Sequence, residues 1–242
     1  MSTPERADDA CTSALVVAID GPSGSGKSSV SREVARRLGL AYLDTGAMYR
    51  ALTWWCLDQG VDLHDRAATA AAGEGLPLVI TTDPFDVRVE VAGTDVSDLI
   101  RTTRVSEQVS LVATNLAVRE QMRLRQRDLI AAHPVGTVAE GRDITTVVAP
   151  DAAVRVLLTA TEQTRLARRA RELHGHADEH AIAATHDQVV RRDRDDSTVS
   201  QFVSAADGVV TVDSSALGFE QVVEALLTLV AERTGRRPAL TS

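Results

Sequence analysis

The chain has 242 residues, 44% hydrophobic and 25% charged, with a formal net charge of -8; this suits one soluble globular domain with a sizeable core and disfavours a protein that coats a phosphate backbone. The longest apolar run, Ala14 to Ile19, falls far short of the roughly 20 residues of a membrane span, so the expectation is a cytoplasmic protein with neither a membrane nor a nucleic-acid partner. The two cysteines, Cys11 and Cys56, offer neither a disulfide framework nor metal-ligand spacing and read as ordinary thiols.

Residues 1–13 are polar and read as a disordered tail. Ala14 to Asp20 is apolar and β-branched, a buried strand that stops at the turn signal Gly21-Pro-Ser-Gly-Ser-Gly26. From Lys27 the apolar positions Val30, Val34 and Leu38 recur at helical spacing, with Gly39 as the C-terminal stop. Ala41 to Leu43 reads as a second strand and Ala47 to Leu57 as a helix; Trp54 and Trp55 on that helix suit core packing better than base stacking. Between about Val61 and Ser106 a Gly- and Ala-rich stretch leads into Leu78-Val-Ile, a turn at Asp83-Pro84 and the alternating Val87-Arg-Val-Glu-Val, a small antiparallel lobe inserted at about 61–106. Residues 105–132 read as helical and end at His133-Pro134.

Thr137-Val-Ala, Val154 to Leu158 and Val209 to Val212 read as further buried strands, and strands alternating with helices imply a parallel sheet covered on both faces. The helix after Thr161 carries Arg165, Arg168, Arg169 and Arg171 and stops near Gly175; a second runs from about Asp178 to Arg194, and the polar joint between them suggests a lid at about 165–185. His174, His176 and His180 lie there, without a cysteine or second ligand pair to make a metal site of them. A last helix spans about Gly218 to Glu232, and residues 236–242 read as a tail, which leaves one domain over 14–235 with its core in 14–60 and 107–235.

Gly21-Pro22-Ser23-Gly24-Ser25-Gly26-Lys27-Ser28 is a P-loop pattern between a predicted strand and a predicted helix. Its glycines let successive N–H groups converge on a phosphate, and the helix N-terminus adds partial positive charge. Lys27 then reaches the β- and γ-phosphates of ATP while the Ser28 hydroxyl holds Mg²⁺. Lys27 is also the single lysine in the chain, every other basic residue being arginine. A lysine kept against that bias marks a place where a compact ammonium is required.

A P-loop alone leaves GTPases, ATPases and kinases open. The strand Val154 to Leu158 ends in Thr159 rather than in an aspartate, and one lysine forbids an Asn-Lys-x-Asp guanine reader. Arginine clusters and a lid are what a small-molecule kinase needs, because phosphoryl transfer is mostly positioning and charge neutralisation.

Four patches then carry a resemblance: Ile19 to Ser29, Leu43-Asp-Thr-Gly-Ala-Met-Tyr-Arg50, Glu140-Gly-Arg-Asp-Ile144 with Thr146-Val-Val, and Arg191-Arg-Asp-Arg-Asp-Asp-Ser197. Through them the chain resembles the bacterial cytidylate kinases, nucleoside monophosphate kinases with a P-loop NTPase fold: an α/β three-layer architecture with a central parallel sheet, an inserted antiparallel CMP-binding lobe and a helical lid. The resemblance implies transfer of the γ-phosphoryl group of ATP to CMP or dCMP by a monomer. ATP is held by Gly21 to Ser29, and Arg50 and Arg142 grip the CMP phosphate. On the same resemblance Thr45, Ser110, Arg119 and Asp143 read the cytosine, Gly46 belongs to the CMP site, and Arg192 and Asp196 contact phosphate and sugar. Lys27, Arg142, Arg168, Arg169 and Arg192 neutralise charge on the transferring group. Glu140 is placed to orient Mg²⁺-bound water.

Two departures stand out. After Asp196-Ser-Thr198 the family usually continues with an arginine, where this chain runs Val199-Ser-Gln-Phe and is two residues shorter; Thr145 stands where a glycine is common. The missing arginine keeps two alternatives open, a kinase for another small acceptor such as UMP or a metabolite, and a nucleotide-binding regulatory paralogue. It also predicts that an Arg-Ala pair inserted after Thr198 lowers the KM for CMP, unless the site is compensated elsewhere.

Overall fold

The computed structural model describes residues 14–238; Cys11, the expected tail over 1–13 and residues 239–242 lie outside the described residues. Five strands, β1 (Leu15–Asp20), β2 (Ala41–Asp44), β6 (Gly136–Gly141), β7 (Val154–Thr159) and β8 (Val210–Asp213), form one parallel sheet in the order β2-β6-β1-β7-β8. β1 is central, with Val17, Ala18 and Ile19 out of contact with solvent, and its register against β6 sets Asp20 beside Gly141. That register brings the loop after β1 and the Glu140 patch to one edge, the C-terminal ends of the strands, where open α/β sheets bind ligands.

Helices cover both faces. α1 (Lys27–Leu38) and α9 (Phe219–Thr234) pack on one side through Val30, Val34, Val222 and Leu226; α2 (Thr45–Asp58) and α6 (Leu116–Ala131) pack on the other through Met48, Leu52, Val118 and Met122. Trp54 and Trp55 are partly buried against this second cluster, as packing residues. β3 (Leu78–Ile80), β4 (Val89–Val91) and β5 (Thr94–Asp95) form a separate antiparallel sheet, turned at Asp83 where its carboxylate accepts from Phe85 N at 2.8 Å. α7 (Glu162–His174) and α8 (Glu179–Ser197) pack against each other beside the P-loop.

Two segments differ from the sequence reading. The Ala-rich stretch is a helix, α3 (Arg66–Glu74), because Asp65 caps it by accepting from Ala67 N and Ala68 N and alanine has the highest helix propensity. The expected helix over 105–132 is three helices, α4 (Thr103–Ser106), α5 (Val109–Ala113) and α6. Asn115 makes the last break: its side chain accepts from Ala117 N and donates to Arg66 O at 2.8 Å, so the chain restarts there with a cap instead of running through.

Candidate active site

The P-loop forms because its glycines fit where no other residue can. A Cβ on Gly21 would stand 2.2 Å from Leu158 O, and one on Gly24, where φ is +75°, would stand 2.5 Å from Arg165 O. The loop therefore lies against β7 and α7 at backbone distance. α1 starts at Gly26 (φ 89°) with no side-chain cap, whereas α2, α3, α6, α7 and α8 each have one. Its first N–H groups are left for an anion. Lys27 Nζ lies 3.4 Å from Pro22 O and 4.0 Å from Glu140 Oε2.

Two clefts open on either side of this loop and share Gly24, Lys27, Ser28, Arg101, Arg169 and Glu172 as a common wall. The first is lined by Ser23, Asp44, Thr45, Gly46, Tyr49, Arg50, Arg119, Glu140, Arg142, Asp143, Arg192, Asp196 and Ser200 among others; the second by Ser25, Gly26, Ser29, Arg168, Ser214, Phe219 and Val222. Seven basic side chains face five acidic ones in the first cleft of a chain whose net charge is -8. Such a focus of positive charge draws in anionic ligands.

Arg142 is the most committed of these cations. Its Nε lies 3.0 Å from Asp196 Oδ2, Nη1 donates to Gly21 O at 2.7 Å, and Nη2 lies 3.0 Å from Asp193 Oδ1. Arg119 donates to Ala113 O, to the Asp143 carboxylate and to Ser200 Oγ at 2.9 Å. Arg50 donates to Ile100 O and Ser106 Oγ. Burial lowers the pKa of Arg50, with Arg192 and Arg169 adding like-charge repulsion; burial and then Arg142 do the same to Arg192. Arg192 Nε is buried without a hydrogen bond, with Asp196 Oδ2 3.6 Å away. Crowded, partly unpaired guanidinium groups gain most from a bound dianion.

Acidic groups flank the P-loop. Glu140 accepts from Tyr42 Oη at 2.9 Å and lies in register with Asp44 across β2 and β6. Burial and then Asp44 push its carboxyl up; burial and then Arg142 push Lys27 down. Ser28 at the start of α1, with these carboxylates, supplies hard oxygen donors of the kind Mg²⁺ takes.

The structure brings most of the expected residues together; Gly21, Pro22 and Ser110 line neither cleft, and Arg168 lines only the second. Arg168 does not reach the shared wall: it donates to Ser25 O at 3.1 Å and to Ser214 Oγ and O, each at 2.8 Å, because neighbouring residues on a helix point about 100° apart and it is Arg169 that faces inward. Ser110 does not line the first cleft; the break before α6 turns it toward an outer groove with His64 and Leu116, and it touches the site only through Asp196 at 3.4 Å. Pro22 lines neither cleft, and its carbonyl accepts from Ser25 N and Lys27 Nζ. The Thr45 hydroxyl donates to Glu140 O at 2.7 Å, which leaves it only acceptor capacity toward a ligand.

Sequence reasoning passed over Arg101, Arg165, Asp193 and Ser200. Asp193 accepts from Ser23 N at 3.0 Å and pairs with Arg142 and with Arg165, which itself donates to Ser23 O at 2.9 Å. Its place inside the Arg191 to Ser197 patch was a usable signal. Arg101, carried by the 3-10 turn Leu99–Arg101 and 3.6 Å from Asp44, had none, since only the fold brings that turn to the P-loop.

A family model described as cytidylate kinase matches residues 17–232. The chain is 51% identical over 221 residues to a cytidylate kinase of Cutibacterium acnes, covering 90% of this chain and 97% of that one. It is 45% identical over 221 residues to a cytidylate kinase of Streptomyces avermitilis, covering 91% and 94%. An uncharacterized protein from Eubacterium ventriosum shares the fold at a TM-score of 0.50 and 11% identity, over 90% of this chain and 99% of that one. With the P-loop, the arginine-lined cleft and a family match spanning nearly the whole sheet, the chain belongs to the cytidylate kinase family.

Proposed function

We propose that the second cleft binds ATP, that the first binds CMP or dCMP, and that the γ-phosphoryl group crosses between them at the wall they share. The observation that carries this reading is the wall itself: Lys27 and Ser28 border both clefts, so donor and acceptor phosphates meet at one ammonium and one helix N-terminus. An acceptor phosphate oxygen attacks the γ-phosphorus in line while the bond to the β,γ-bridging oxygen breaks, giving CDP and ADP. Lys27, the loop amides, Arg142, Arg169 and Arg192 neutralise charge on the transferring group. Arg50 and Arg142 hold the acceptor phosphate, and Arg119 with Asp143 offers donor and acceptor to the cytosine edge.

Mg²⁺ accompanies the donor. Ser28, with Glu140 and Asp44 close by, would hold it, and it would screen charge on the β- and γ-oxygens. The turn after the antiparallel sheet, through Arg101, and the α7–α8 pair, through Arg169 and Arg192, border the first cleft as acceptor lobe and lid, whose closure excludes water from the transfer.

The test is ADP production from MgATP with CMP, dCMP, UMP, AMP or no acceptor side by side. Strong dependence on CMP or dCMP is expected. Dependence on UMP alone or on none of these acceptors moves the assignment to another small acceptor, and acceptor-independent hydrolysis moves it to a nucleotide-binding regulatory protein.

A further inference from the structure

The segment that lacks the family's arginine has not left a gap. α8 ends at Ser197, and Val199 N and Ser200 N both donate to Asp196 O, at 3.3 and 3.1 Å, which winds the chain tightly back toward the acceptor cleft. That winding puts Ser200, only 7% exposed, against Arg119, and puts Phe202, fully buried, beneath Arg142 with its ring centroid 4.4 Å from the guanidinium carbon.

Arg142 donates in the plane of its guanidinium through Nε to Asp196 and through Nη1 to Gly21 O, while Asp193 pairs with Nη2 by charge without a hydrogen bond, so a hydrogen on each terminal nitrogen remains for a phosphate. The direction of those two hydrogens depends on the tilt of the plane, and in-plane bonds fix tilt poorly. A ring against one face fixes it, and the negative face of an aromatic ring also favours the cation. Ser200 does the corresponding work for Arg119, accepting from the same nitrogen that meets Asp143.

We infer that Phe202 and Ser200 are positioning residues for the acceptor: Phe202 sets the plane of the phosphate-gripping Arg142, and Ser200 sets the base-side Arg119, in place of an additional cation. The inference rests on the acceptor assignment above.

Phe202→Leu keeps most of the buried volume and removes the ring face; Ser200→Ala removes one acceptor. Wild-type and both variants are assayed for KM and kcat with CMP, with UMP and with ATP, for CMP binding by calorimetry, and for Tm. Phe202→Leu is expected to raise KM and Kd for CMP between about three- and thirtyfold, with the KM for ATP changed less than about twofold. Ser200→Ala is expected to narrow the preference for CMP over UMP. A Phe202→Leu variant whose Tm falls while both KM values rise together would mean that the ring only packs, and would overturn the inference; so would unchanged CMP constants in both variants. Absence of CMP-dependent activity in the wild-type chain would instead remove the acceptor assignment, and calorimetry of CMP on wild-type separates that outcome from a positioning failure.

Discussion

Asp193→Asn isolates the charge that fastens the P-loop to the helices α7 and α8. The Asp193 carboxylate, 15% exposed, lies between Arg142 and Arg165, themselves 13% and 11% exposed, and accepts from Ser23 N. Asparagine keeps an oxygen for the Ser23 amide but removes the counter-charge of two largely buried guanidinium groups. Breaking a buried pair from one side costs about 3 kcal/mol, because the partner charge is left uncompensated. For a domain of this size that is a fall in Tm of roughly 6 to 12 °C. The deficit should also be repaid in part by ligand: a phosphate dianion reaching Arg142 supplies the missing charge, so saturating CMP should raise the Tm of the variant by more degrees than it raises that of the wild type. Thermal melts with and without CMP measure both quantities. A variant melting within about 2 °C of the wild type would refute the claim that this pair clamps the loop. An equal or smaller CMP-induced rise would refute the claim that carboxylate and phosphate share Arg142.

Three other perturbations have definite expected outcomes. Lys27→Arg should lower kcat by at least about 100-fold in the ADP-release assay, since the space between Pro22 O and Glu140 holds a compact ammonium rather than a planar fork. Arg101→Ala should lower kcat and leave the Kd for CMP, read by calorimetry, within about twofold, because Arg101 borders the wall shared by both clefts rather than the acceptor end alone. Burial pushes the Asp20 carboxyl up from 3.8 to about 6 despite its bonds from Thr145 and Ile144 N, so the folded state binds this proton more tightly than the unfolded chain. Stability from this group is therefore full below about pH 4 and is lost as pH rises through about 6, by about 3 kcal/mol; urea midpoints of Asp20→Asn should gain on the wild type across that window, and a constant gap would sink the assignment.

The P-loop was legible in the sequence because its pattern is local: a strand, a glycine turn, one lysine and an uncapped helix lie within consecutive residues, and backbone amides need no distant partner. The arginine cleft was legible only as far as its patches. Arg142, Arg119, Arg192 and Asp196 converge as the motifs suggest, but whether a given helical arginine faces the cleft depends on rotation about the helix axis, which is why Arg169 lines it and Arg168 holds Ser25 and Ser214 instead. α3 could have been read from its cap, Asp65 ahead of an alanine run, but alanine carries no apolar periodicity, and Gly73 inside the helix and Gly75 at its end suggested irregular chain. The fastening of Ser23 by Asp193 and Arg165 joins residues 170 and 142 positions apart, and no local pattern announces such a pair.

The same limit bears on the missing arginine. On sequence grounds alone, an Arg-Ala pair inserted after Thr198 restores a cation and lowers the KM for CMP. In the folded chain those two residues enter between the end of α8 and the turn that returns Val199 N and Ser200 N to Asp196 O. Two extra residues shift everything downstream by up to about 7 Å of chain, more than the spacing of any contact made here. Ser200 then leaves Arg119 and Phe202 leaves the face of Arg142, so one electrostatic contact is gained while two positioning contacts are lost. The expected result is a KM for CMP that does not fall, and that rises if the inserted arginine stays in solvent. Replacing Val199, which lines the outer groove with Ser110, by arginine without insertion keeps the register, and should leave the KM for CMP below that of the insertion variant. If the insertion alone lowers that KM tenfold, the register of Ser200 and Phe202 is irrelevant to the acceptor, and the two residues are packing rather than positioning.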